Sequence, residues 1–209
     1  MVGLRANGTR LAVALLMTIG DAAMNARFAP AALRHPLDFA RQPDDLRTRV
    51  FACIIHEARI TGRRPLIRGL AEDEFQQLLS SHFPGLRLEN GESDPGLNEY
   101  IDSEFTDLVH LLHDHRAGDD AAATWLAYAV ASAAMGENHL WQDMGLPSRQ
   151  PLSQLMREHF TELAAKNIGD MKWKKFFYRQ LCERAEVPIC KSPHCAACVD
   201  YSVCFDHET

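Results

Sequence analysis

Four cysteines, Cys190, Cys195, Cys198 and Cys204, fall within fifteen residues near the end of the chain, in the order C-x4-C-x2-C-x5-C. Thiolates are soft donors suited to zinc and to iron–sulfur clusters, and four on one short loop can enclose a single compact metal site. Common zinc arrangements join two C-x2-C hooks across a longer gap, whereas this segment has one such hook with longer spans on each side. Its first three cysteines match the C-x4-C-x2-C part of plant-type ferredoxins, which favours iron and sulfide over zinc. Disulfides would need an oxidising compartment that nothing else in the chain suggests. Short side chains at Ser192, Ala196, Ala197 and Ser202 leave room for backbone to fold around a cluster, as they would in any tight loop.

Other residues stand near this group. His194 precedes Cys195 directly and is either a nitrogen ligand to a heteroatom or a solvent-facing imidazole. Cys182 falls on the helical wheel with basic residues rather than aromatic ones, so it is a fifth thiolate or a spare thiol, while Cys53 reads as a core residue. Lys172, Lys175 and Arg179 share one helix side, which either attracts an oxyanion or an acidic partner or simply solvates the helix. Glu104 and His115 lie on the apolar side of a long helix, and Glu137 in the stripe of the next. Hydrogen bonding to a neighbour is the plain account of each, and a site shared across helices is the alternative. His110, His113 and His115 do not converge on one helix face. No phosphate loop, zinc-protease or serine-hydrolase signature is present.

The elements that must position these residues are helices. Ala and Leu number 51 of 209 residues, Val, Ile and Thr only 24, which disfavours a strand-rich fold. Asp44 and Asp45 open an amphipathic helix carrying Leu46, Val50, Phe51, Ile54, Ile55 and Ala58 and ending at Gly62. Further helices are expected over Glu72 to His82, Leu97 to Gly118, from Asp119 and Asp120 through a stripe ending at Leu140, from Ser148 through Leu163, and from Gly169 to Ala185. Residues 84 to 98 read as a loop. The fold class is therefore all-α: a single helical domain of about six to seven helices with a C-terminal cysteine-rich metal-binding loop. Residues 1–43 form an N-terminal helix, from about Arg10 to Met24, and a Pro-broken linker. Residues 44–187 are the helical domain and 188–209 the cluster-binding tail.

Net charge of -6 and a sequence pI near 5.9 argue against binding nucleic acid or an anionic membrane by bulk electrostatics. Charge is nonetheless uneven: Glu89 to Asp120 holds ten acids and one base, Lys166 to Arg184 six bases and two acids. The longest apolar run, Leu11 to Ile19, is too short for a bilayer, which takes about 20 residues. Arg5 and Arg10 before it resemble a secretory leader, but Asp21 follows without a clean cleavage site, so a cytoplasmic protein is expected.

The segment from Asn138 to Leu146, NHLWQDMGL, followed by DMKWKKFFYRQLC from Asp170 to Cys182 and the C-x4-C-x2-C-x5-C tail, resembles the NifQ family of nitrogen-fixation proteins over roughly the last 160 residues. The resemblance implies an iron–sulfur protein that binds molybdenum and donates it to nitrogenase iron–molybdenum cofactor biosynthesis, a metallochaperone rather than an enzyme. Its implied cofactors are an iron–sulfur cluster and molybdenum, and its implied partners the nitrogenase cofactor assembly proteins, with molybdate as metal source. The resemblance places the cluster on Cys190, Cys195, Cys198 and Cys204 and identifies no molybdenum ligand. Molybdenum arrives as a hard oxyanion and must end among sulfur ligands, so a carrier needs a soft, accessible site.

Two other classes fit in part. A helical iron–sulfur DNA-repair glycosylase also ends in a four-cysteine loop, but its usual spacing begins with six residues and it needs a Gly-rich phosphate-gripping hairpin that Gly145-Leu146-Pro147-Ser148 lacks. A zinc-stabilised interaction module would use the tail only to lock a loop. Iron and zinc content separates these readings.

Overall fold

Asp45 and Asp120 each begin a helix by the same device. The Asp45 carboxylate accepts the Thr48 N–H and hydroxyl, both at 2.8 Å, at the start of α1 (Leu46–Ile60), and Asp120 accepts the Ala123 N–H at 2.6 Å at the start of α4 (Ala121–Ala134). Such caps satisfy orphan backbone donors and contribute about 1 kcal/mol each. Arg47 then pairs with Asp120 at 3.1 Å, tying the two helix starts together.

A computed structural model describes residues 34–92, 99–186, 198 and 201–206, and the elements in it belong to one unit, His35–Thr209. A short 3-10 turn, Pro36–Phe39, precedes α1. Then follow α2 (Glu72–His82), α3 (Glu99–Asp114), α4, α5 (Leu140–Asp143), α6 (Arg149–His159), α7 (Thr161–Lys166), α8 (Trp173–Arg184) and α9 (Tyr201–Phe205). The described residues are all-helical, without strands, and form a single helical domain. No helix among them is long and apolar enough to cross a membrane. The expected helix from Arg10 to Met24 lies outside the described residues, as do 93–98 of the expected loop.

The core is continuous. Phe51, Ile54 and Ile55 of α1, Phe75 and Leu78 of α2, Leu108, Leu111 and Leu112 of α3 and Phe177 of α8 are all fully buried within it. At its centre runs α4, which the sequence marks as striped but which is buried on nearly every side from Ala123 to Ala134. Its alanines let α1 and α3 approach closely, and a helix apolar all round belongs in the middle of a bundle.

Two expected helices are broken. The stripe thought to run through Leu140 stops at Ala134, and residues 135–139 turn the chain into α5. A Cβ on Gly136 would come within 2.5 Å of the Asp143 carboxylate, so any side chain there would have to displace that buried group. The run from Ser148 to Leu163 breaks at Phe160, whose φ of -136° and ψ of 50° leave helical space. The break lets Phe160 and Leu163 both bury completely.

Helix α8 begins at Trp173, not Gly169. Residues 167–171 form a loop fixed by side chains: the Asn167 amide bonds both the N–H and the carbonyl of Met171 at 2.9 Å, and Arg149 holds the Asp170 carboxylate at 2.8 Å and the Met171 carbonyl at 2.9 Å. Trp173, Phe176 and Phe177 bury beneath, their ring centroids 5.9–6.4 Å apart. The short helix α9 packs on this loop, with Phe205 over Gly169.

Candidate metal centre

The tail returns to the helical domain at α9. The Lys172 N–H donates to the Cys204 carbonyl at 2.8 Å, which sets α9 against the start of α8. Phe205 covers Gly169, where a Cβ would lie 3.0 Å from its ring, and Tyr201 stacks on Phe205 with centroids 4.4 Å apart. Cys204 and Phe205 pack half-buried against the core, while Tyr201 and Val203 stay 46% and 52% exposed. A carbon-rich wedge therefore anchors the segment and leaves its outer side open.

Of the four cysteines expected to bind metal, Cys198 and Cys204 are half-buried thiols, neither joined in a disulfide. The Tyr201 N–H bonds the Cys198 carbonyl at 3.2 Å, making Cys198 the turn that leads into α9. Cys190, Cys195 and the neighbouring His194 lie outside the described residues. Among the described residues no three His, Cys, Asp or Glu side chains gather where they could hold a metal ion. The donor chemistry that is described fits a soft metal: half-buried thiols at the turn into α9 and within α9, with exposed residues beside them. Cys182, on α8, is also a half-buried thiol and shares a helix face with Lys175 and Tyr178 by its spacing. Cys53 packs half-buried against the core on α1, where burial pushes its thiol pKa up and keeps it protonated.

The three basic residues expected to act together are divided. Lys172 and Lys175 line an open cleft of about 550 Å³ with His139, Tyr178 and Val203. Arg179 lines a second groove, of about 610 Å³, with Lys166 and Phe205, and pairs with Glu183 at 2.7 Å. Val203 belongs to one and Phe205 to the other, so α9 separates them.

Sequence reasoning missed a buried ion pair behind the first cleft. Lys174 donates to the Gly136 carbonyl at 2.7 Å and to the Asp143 carboxylate, and both side chains are largely buried, 16% and 9% exposed. Asp143 also accepts the Asn138 N–H at 3.1 Å and side-chain amide at 3.0 Å. The signal was present: Lys174 lies three residues before Phe177 and seven before Leu181, on the aromatic rather than the basic side of α8.

The remaining polar candidates are structural. Glu104 accepts a hydrogen bond from the Tyr178 hydroxyl, joining α3 to α8. His115 meets Lys166 at 2.9 Å and the Leu111 carbonyl at 2.8 Å, His113 meets Arg116, and His110 is exposed, so the three histidines do not converge. Glu137, expected in a helical stripe, is exposed on the turn after α4, because that helix ends before it.

The sequence model of the NifQ family matches residues 50–206, from the first turns of α1 to the end of α9. The chain belongs to the NifQ family. It is 39% identical to Protein NifQ of Azotobacter vinelandii over 155 residues, 69% of this chain and 80% of that protein. It is 35% identical over 169 residues to a Protein NifQ homolog of Sinorhizobium fredii (strain NBRC 101917 / NGR234), covering 75% of this chain and 70% of the relative. Protein NifQ of Rhodobacter capsulatus is 47% identical over a shorter stretch of 83 residues, 40% of this chain and 46% of that one. No solved structure matches. Membership in the NifQ family gives the chain a part in nitrogen fixation and in biosynthesis of the iron–molybdenum cofactor. The NifQ match includes all four tail cysteines, the Lys174–Asp143 pair and both grooves beside α9, and leaves out the first 49 residues.

Proposed function

We propose that this chain is a cytoplasmic iron–sulfur metallochaperone that binds molybdenum and donates it to nitrogenase cofactor assembly proteins, and that it is not an enzyme. Cys190, Cys195, Cys198 and Cys204 hold the cluster in this reading, with Cys182 and His194 as further candidate donors. The observation that carries it is the state of the two described tail cysteines. They are half-buried thiols, Cys198 at the turn into α9 and Cys204 within α9, a helix held by Phe205 and the Lys172–Cys204 backbone bond on one side and exposed at Tyr201 and Val203 on the other.

A bound cluster would supply soft sulfur ligation for molybdenum. The chain's own contribution is to keep the thiols together, reduced and accessible. Five residues of helix cannot bury a site by themselves, and α9 leans on the 167–171 loop through Phe205 over Gly169. Exposure of Tyr201 and Val203 leaves a partner free to approach the same turn. The test is to replace Cys190, Cys195, Cys198 and Cys204 singly by Ala in anaerobically purified protein. Each variant should lose iron and molybdenum and keep the helical circular dichroism, because the core lies before the tail. Full metal content in all four variants refutes the reading.

A further inference from the structure

The cleft beside α9 has a charge imbalance. Lys172 and Lys175 line it, and among the described residues neither ammonium makes a hydrogen bond or ion pair, whereas Lys174 between them is neutralised by Asp143. His139 and Gln142 line the opposite wall, and Glu137 is the one carboxylate among the lining residues. The two walls are held at a fixed separation, since Lys174 crosses from α8 to bond Gly136 and Asp143 on the 136–143 segment. A concave site with surplus positive charge and nitrogen donors from two elements suits a small, hard, multiply charged anion.

Its position gives that anion a purpose. Lys172, which lines the cleft, is the residue whose N–H holds the Cys204 carbonyl, and Val203 next to Cys204 forms part of the cleft wall. We infer that this cleft is a receiving site for a tetrahedral oxyanion of the molybdate class, bound by Lys172, Lys175 and His139 beside the cysteine-bearing turn. The anion is held by nitrogen donors there, before any sulfur ligand is engaged. Choosing molybdate among tetrahedral oxyanions rests on the carrier reading above, but the existence of the site does not. Arg179, which faces the other groove, takes no part.

The test is equilibrium dialysis of radiolabelled molybdate against the full-length protein and three variants, with iron content and circular dichroism measured on each. K172Q/K175Q should weaken molybdate binding at least about tenfold, the effect of losing two charge-assisted donors, with iron content unchanged. K172R/K175R should restore binding. C190S/C195S/C198S/C204S should lose iron yet retain molybdate at the cleft. Sulfate should compete, and chloride at matched ionic strength should not. Wild-type binding by folded K172Q/K175Q, loss of binding in the folded four-cysteine variant, or equal displacement by chloride overturns the site. Should the four-cysteine variant not fold, the two lysine variants decide alone. Absence of iron from the wild-type protein would refute the carrier reading while leaving the oxyanion result intact.

Discussion

Replacing Lys174 by Met is expected to be among the most damaging single changes outside the apolar core. The substitution keeps the length of the side chain but leaves the Asp143 carboxylate, 9% exposed, with Asn138 as its remaining donor. Breaking one side of a buried pair costs about 3–5 kcal/mol, because the surviving charge remains desolvated without its counterion. For a chain of this size each kcal/mol lowers Tm by about 2–4 °C, so a drop of about 6–20 °C is expected in thermal melting followed by circular dichroism. D143L/K174M removes both charges and should recover much of that loss, since no ion is left stranded. Gly136→Ala should be costly for the same region, its methyl group meeting the Asp143 carboxylate at 2.5 Å. A Tm for Lys174→Met within about 2 °C of wild type, or a double variant worse than Lys174→Met alone, would refute the argument that this pair fixes the 136–143 segment to α8.

Tyr178→Phe removes the hydroxyl that donates to Glu104 and should cost about 1.5–3 kcal/mol in urea unfolding, with Glu104→Gln in the same background recovering part of it. Gly169→Val should crowd Phe205 and loosen α9, seen as faster loss of iron to a chelator while the melting of the helical core is unchanged. Stability should also fall on acidification. His35, His56, His82 and His159 are all held below the ordinary imidazole value, chiefly by burial, so the unfolded chain takes up protons near pH 6.5 that the folded chain resists. The stability they confer is present above that pH and is lost as pH falls toward their folded values. Tm measured from about pH 7.5 to about pH 5 should drop less steeply in His82→Gln than in wild type, and identical slopes would contradict this assignment.

Much of the helical framework is readable from local signals. Asp45 and Asp120 cap their helices through bonds within three residues, and Glu72 to His82 begins and ends where spacing and Pro84-Gly85 place it. Glu104 could be read as facing inward, and its neighbour proves to be Tyr178. What escapes the sequence is set by tertiary contact. Just past the helix end at Ala134, Gly136 lies close against the Asp143 carboxylate, and at the break at Phe160 that ring and Leu163 both enter the core. Lys174 falls on the aromatic side of its helix by spacing, but its partner, Asp143 thirty-one residues earlier, is set by tertiary contact. Lys175 and Arg179, four residues apart on one helix face, face different grooves because α9 lies between them, and no spacing rule predicts where a tail will settle. The spacing of the cysteine tail suggests its chemistry, and of its four cysteines Cys204 can be followed to the start of α8, where its carbonyl accepts the Lys172 N–H.

The most direct measurement is elemental analysis of iron, molybdenum, sulfide and zinc, with a visible absorption spectrum, on full-length protein purified without oxygen. A protein that grips a cluster through its terminal thiols will be coloured and will contain iron, sulfide and molybdenum, with little zinc. Colourless protein with one zinc per chain and no iron would contradict it.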